Sequence, residues 1–193
     1  MLHKLTQLIT FDLIEGPYVI GSYVTHCLAK QYGDVKWNPN DIDIICRNET
    51  QMYSLKDTFL PISGYYNEKQ RTVVSEMFGV HPLQMIWVID GVTITASIRD
   101  HPATEQIKTA DYTISAAATD GNFYLASEQT LLDIKDNILR ELSFDMNKKC
   151  VGAEATNWVF EKYQTYLSRG FIDKDNAALD KLNKIVADSK RNV

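Results

Sequence analysis

Tyr18-Val19-Ile20-Gly21-Ser22 and, after an intervening helical stretch, Asn40-Asp41-Ile42-Asp43-Ile44-Ile45 decide the reading of this chain. The first segment is a short apolar strand running into a glycine turn. The second is a strand in which alternate side chains share a face. Asp41 and Asp43 therefore project together, and Ile42 and Ile44 lie opposite. Two adjacent carboxylates repel each other, and a cation between them relieves the cost. Mg²⁺ takes carboxylate oxygen while keeping waters and phosphates. The pattern points to a site for a nucleotide and a metal, with an edge strand carrying two solvated aspartates as the alternative. Ile42, Ile44 and Ile45 mark the strand as largely buried and weigh against that alternative.

Working outward, residues 5–14 carry Leu5, Leu8, Ile9 and Leu13 at helical spacing, ending near Gly16-Pro17. Residues 24–32 predict a helix stopped by Gly33, residues 34–40 a loop, and residues 41–47 the carboxylate strand. Residues 49–59 predict a helix closed by Pro61. Short strands are expected around Gly64-Tyr65-Tyr66 and Thr72-Val73-Val74. Leu83–Ile89 and Val92–Ile98 predict strands joined by an Asp90-Gly91 turn, with a loop as the other reading of the second. Pro102 suits the first turn of a helix reaching Lys108. Residues 111–118 and 122–126 predict a hairpin about Asp120-Gly121. Residues 130–142 predict an amphipathic helix through Leu131, Ile134, Ile138 and Leu142. Residues 152–169 and 174–189 predict two further helices joined at Gly170-Phe171. The expected fold is α+β, a small mixed sheet with packed helices and a C-terminal helical extension. Domain limits are expected at 1–145 and 146–193.

The chain has 193 residues, 45% of them hydrophobic, enough for a real core. No apolar run is long enough to cross a membrane, and the N-terminus lacks the form of a signal peptide. Cys27, Cys46 and Cys150 are odd in number and widely spaced, which predicts reduced thiols and a cytoplasmic setting. Net charge is −5, with 11 Lys/Arg against 19 Asp/Glu in residues 1–145 and 9 against 6 in residues 146–193. An acidic body excludes general nucleic-acid binding, which needs a basic surface. RNA contact, if any, falls to the C-terminal helices, whose lysines read first as a solvated face.

Strand, Gly-Ser turn, helix and Asp-x-Asp strand, in that order, resemble the core of the DNA polymerase β-like nucleotidyltransferases. Residues 101–140 resemble the head domain of the tRNA nucleotidyltransferase and poly(A) polymerase branch. There, Asp111-Tyr112-Thr113-Ile114-Ser115 matches the centre of an Arg-Arg-Asp-Phe-Thr-Ile-Asn pattern, and Asp133-Ile134 with Arg140 matches its end. Residues 163–173, ending Arg-Gly-Phe-Ile-Asp, are similar to the start of that branch's neck. Compact phage- and virus-type nucleotidyltransferases are a closer resemblance, through Leu83-Gln84-Met85-Ile86, Pro102-Ala103-Thr104-Glu105 and Ala110-Asp111-Tyr112-Thr113-Ile114.

The resemblance implies transfer of a nucleoside monophosphate from an NTP to an acceptor hydroxyl, with pyrophosphate released. It implies two Mg²⁺ ions on Asp41 and Asp43, with Gly21 and Ser22 at the triphosphate. Asp111 is then the third carboxylate, helping hold the catalytic metal or accepting the hydroxyl's proton. The alternatives are that it caps a strand or bonds a ribose, and Asp90 is its rival. The acceptor implied is an RNA 3′ end. A protein hydroxyl and a non-catalytic nucleotide- or partner-binding module are the other readings. The chain departs from the branch where Thr25 and His26 replace an Arg-Asp pair and where Thr109 and Ala110 replace two arginines. The resemblance therefore does not extend to accurate CCA addition. Trp37 reads as a base-stacking or packing residue, Trp87 and Trp158 as core, and Lys148-Lys149 as RNA-contacting or solvated.

Overall fold

The computed structural model describes residues 1–70, 81–142 and 153–191. Residues 72–74, Lys148, Lys149, Cys150 and the side chain of Trp158 lie outside the described positions. The fold is α+β. Strands β1 (Tyr18–Ile20), β2 (Asp41–Cys46), β3 (Tyr65–Gln70), β4 (Leu83–Ile89), β5 (Val92–Ile98), β6 (Ala117–Thr119) and β7 (Tyr124–Ala126) form one mixed sheet. Their order is β3-β4-β5-β2-β1-β6-β7. Only the β2–β5 pair among them is parallel. The carboxylate strand is thus central, with β1 on one side and β5 on the other.

The described α-helices are α1 (Leu2–Thr6), α2 (Ser22–Ala29), α3 (Glu49–Phe59), α4 (Ala103–Gln106), α5 (Glu128–Lys135), α6 (Ala153–Ser168) and α7 (Ala177–Arg191). Alternation along β2 sends Ile42 and Ile44 into the main core with Val24 and Leu28 of α2 and Met52, Leu55 and Phe59 of α3. Trp87 lies in the same core, edge-on to Phe59 at 5.4 Å. Ile45 points the other way, into a small cluster with Tyr18, Ala103 and Ala118. Asn48 begins α3 by accepting a hydrogen bond from the Gln51 N–H, satisfying one of the helix's orphan donors. The core also takes in Tyr163 and Tyr166 of α6, Phe171, and Ala178 and Leu182 of α7.

The predicted elements differ from the observed ones where polar side chains redirect the backbone. Residues 5–14 do not form one helix: α1 stops at Thr6. Asp12 Oδ1 accepts from the N–H groups of Ile14 and Glu15, curling residues 12–16 into a turn that competes with helix. The hairpin forms, but its first strand begins only at Ala117, because Thr113–Ser115 is a 3₁₀ turn closed by Ser115 Oγ donating to the Tyr112 carbonyl. Helix α5 ends at Lys135, short of Leu142. Asn137 takes a left-handed φ of 56°, and the chain continues extended, with Ile138 bridged to Ile172 and Glu141 to Tyr112. The Asp90-Gly91 turn, φ 50° and 76°, joins β4 to β5 as predicted.

Candidate active site

Gly21 is the N-cap of α2, at φ 81° and ψ −157°, a conformation essentially confined to glycine. The reason is also spatial. A Cβ there would lie 2.6 Å from Asp43 Oδ2. The turn and the carboxylate strand are in contact, because Ile20 pairs with Asp43 across the β1–β2 ladder. Ser22 follows as the first residue of α2, whose free N–H groups and positive dipole end suit an anion. Thr25 fixes this helix by donating its hydroxyl to the Ile114 carbonyl at 2.7 Å.

Asp41 and Asp43 share the face opposite Ile42 and Ile44, and both are partly buried. Burial and the charge of Asp41 push Asp43 up to about 7, with Lys162 opposing. Burial also raises Asp41, with Arg169 opposing. A buried, mutually repelling pair of carboxylates is the donor set a divalent cation compensates, so these two residues fit Mg²⁺. On the neighbouring strand, Thr93 and Thr95 stand in register with Asp41 and Asp43. That strand therefore offers hydroxyls beside the pair, not a third carboxylate. Among the described residues, no three His, Cys, Asp or Glu side chains converge as a metal-binding group.

Asp111 is only 4% exposed and lies outside the sheet, just before the 3₁₀ turn. Its Oδ2 accepts a hydrogen bond from Lys162 Nζ of α6 at 2.7 Å. Burial works against the charge of Lys162, but Tyr166, Asp111 and Asp43 outweigh it and hold the ammonium ionised. Lys162 thus acts on both Asp111 and Asp43. Asp90 sits in its turn with Lys4 Nζ at 2.5 Å, an exposed pair that accounts for it without chemistry. Asp133 and Arg140 meet as an ion pair at 3.0 Å, and Asp133 also accepts from the Thr113 hydroxyl at 2.6 Å. That network braces the segment carrying Asp111.

Sequence reasoning missed the basic face of α6. Lys162, Tyr166 and Arg169 recur at helical spacing. Arg169, just past the end of α6, lays its guanidinium over the Trp37 ring at 4.6 Å and against Tyr166 at 5.7 Å. Trp37 belongs to the loop before Asp41 and meets the buried His26 ring edge-to-face at 5.0 Å. Burial, then Lys30, lowers the affinity of His26 for a proton. The advance signals were the basic balance of residues 146–193, the Arg-Gly-Phe-Ile-Asp segment and the i, i+4, i+7 pattern, which any solvated helix face also shows. Cys27 and Cys46 are free thiols, and Cys46 is buried behind the sheet. No described helix is long and apolar enough to cross a membrane.

No family model and no curated protein sequence matches the chain. Solved structures do. The CCA-adding enzyme of Thermotoga maritima complexed with tRNA is similar with a TM-score of 0.60 at 15% identity, over 89% of this chain and 38% of that one. A tRNA-processing enzyme complex is similar with a TM-score of 0.56 at 15% identity, over 97% of this chain and 46% of that one. A tRNA-processing enzyme in its apo form gives 0.52 at 17%, over 89% and 42%. The chain spans less than half the length of each of these proteins. At such identities the shared property is architecture, and the chain has the α+β fold of the matching part of these proteins.

Proposed function

We propose that this protein is a metal-dependent nucleotidyltransferase that moves a nucleoside monophosphate from an NTP to an acceptor hydroxyl. The observation that carries the reading is the contact between the Gly21-Ser22 turn and the Asp43 carboxylate, with Asp41 on the same face. It brings an anion-binding helix N-terminus against a cation-binding pair of carboxylates. An NTP complexed with Mg²⁺ needs both at once. Two bound Mg²⁺ ions would neutralise the triphosphate and lower the pKa of an attacking hydroxyl. Asp41 and Asp43 would hold them. Gly21 leaves room for phosphate oxygens to reach backbone N–H groups, and Ser22 offers a hydroxyl donor. Asp111, held by Lys162, would orient the nucleotide or the acceptor. In-line displacement then rests on positioning and charge compensation.

The acceptor we favour is an RNA 3′ end, with ATP among the candidate donors. Two of the similar structures support this reading by what they are: a CCA-adding enzyme bound to tRNA and a tRNA-processing complex. We divide the chain into a catalytic domain, residues 1–145, and a neck-like extension, residues 146–193, which lends Lys162 and Arg169 to the site. The free thiols suit a reducing, cytoplasmic setting. A protein hydroxyl is the second acceptor class, favoured by the acidic balance of residues 1–145, which suits a basic partner.

The test is Mg²⁺-dependent incorporation from each of four labelled NTPs, offered total RNA and total protein. Wild type is compared with Asp41→Asn/Asp43→Asn. Label in RNA that disappears in the double variant supports the reading, and label in protein moves the acceptor to the second class. NTP binding with no transfer to either would leave a binding module and overturn the enzyme.

A further inference from the structure

Helix α6 brings two cations toward the carboxylates, and they differ in commitment. Lys162 is committed to Asp111 at 2.7 Å. Arg169 makes no salt bridge with any described residue. Its guanidinium instead lies over the Trp37 ring at 4.6 Å and against Tyr166 at 5.7 Å. Trp37 is itself fixed by the His26 edge at 5.0 Å and by Phe171 at 6.5 Å. His26 is 6% exposed, and its Nδ1 has no hydrogen-bond partner.

Aromatic stacking uses the flat face of a guanidinium and leaves its N–H edge available. Such a group is already ordered, so little side-chain entropy remains to be lost when it takes a ligand. Its position is defined from two directions. Trp37 leads into Asp41 along the chain, and Arg169 is the charge that opposes the rise of Asp41. His26 lies one turn along α2 from Ser22. The cation therefore stands beside Asp41, about one turn along α2 from its anion-binding end.

We propose that Arg169 is a phosphate anchor, binding the triphosphate tail of the nucleotide through its N–H edge, with Trp37 and Tyr166 as its positioning residues. This rests on the nucleotidyl-transfer reading of the same site and deepens it. It also answers the absence of arginines at Thr109 and Ala110: the cation enters from the end of α6 instead. A guanidinium matches phosphate oxygens in bidentate fashion, which an ammonium does not.

The test measures binding, not turnover, on the full chain. Mg·ATP, inorganic tripolyphosphate with Mg²⁺, and adenosine are titrated by calorimetry against wild type, Arg169→Gln, Arg169→Lys and Trp37→Leu. Arg169→Gln keeps the stem and a planar group on Trp37 while removing the charge, so it is expected to fold. The expected result is a loss of roughly 10- to 100-fold for both Mg·ATP and tripolyphosphate in Arg169→Gln. Arg169→Lys should recover only part of it, and adenosine binding should not change.

Unchanged tripolyphosphate affinity in a folded Arg169→Gln overturns the proposal. So does a loss confined to adenosine, which would make Arg169 a base contact. Wild type that binds neither Mg·ATP nor tripolyphosphate overturns it as well. Wild type that binds both through Arg169 but transfers nothing leaves the anchor standing while the enzyme reading fails.

Discussion

Lys162 and Asp111 lie 51 residues apart in sequence and meet at 2.7 Å, an ammonium of α6 on a carboxylate almost wholly removed from water. Breaking such a pair from one side strands a buried charge. Replacing both partners with apolar groups removes the cost. Lys162→Met should therefore destabilise the fold by about 3 kcal/mol, and Lys162→Met/Asp111→Leu by clearly less. Urea denaturation of the two variants checks the order. Equal losses would mean that Asp111 is held by other partners.

Gly21 admits no side chain. Gly21→Ala places a methyl 2.6 Å from Asp43 Oδ2 and imposes a conformation costing about 1–3 kcal/mol. Expected is a folded protein with a lowered melting temperature and no measurable Mg·ATP binding. Full binding by the alanine variant would show that the turn does not face the nucleotide.

Metal-free stability should depend on pH through Asp43. Its folded pKa is pushed up to about 7 from an ordinary 3.8, so the folded state holds a proton that the unfolded chain releases. A group raised in this way contributes stability that is present at acid pH and lost as pH rises through 7. In EDTA, the melting temperature of wild type should fall relative to Asp43→Asn between pH 4 and 7. Saturating Mg²⁺ should abolish the difference in slope. Parallel curves for the two proteins in EDTA would sink the prediction.

Asp133, 1% exposed, accepts hydrogen bonds from Thr113, Gln129 and Arg140. Asp133→Ala should cost about 3 kcal/mol, since it strands the buried Thr113 hydroxyl and removes the charge that pairs with Arg140. Arg140→Ala leaves Asp133 the Thr113 and Gln129 donors, so it should cost less, about 1–2 kcal/mol. Chemical denaturation of both variants tests that ranking.

The carboxylate strand and glycine turn were legible because their signals are local. Alternation fixed which face Asp41 and Asp43 occupy, and Pro61 marked the end of the helix over residues 49–59. Asp12 and Asn137 were misread as helix surface, since the sequence pattern does not show that a side chain will bond its own backbone or that an asparagine will turn left-handed. Lys162 and Arg169 were illegible for another reason. Their roles come from packing α6 against Asp111 and Trp37, and nothing near them in sequence encodes that. The pairing of β2 with both β1 and β5 is likewise a tertiary property.

The parallel register of Asp41 with Thr93 has a consequence for the order of folding. The β3–β4–β5 meander joins neighbours in sequence, whereas β2 reaches β5 only after the intervening chain has closed a long loop. Loop closure of that kind is slow. We expect the strand bearing the carboxylates to be a late arrival, its charges remaining in water until a partner sheet exists to receive them. Pulse-labelled hydrogen exchange should then show amides of β4 and β5 protected before those of β2. Simultaneous protection would mean that the seven strands form as one unit.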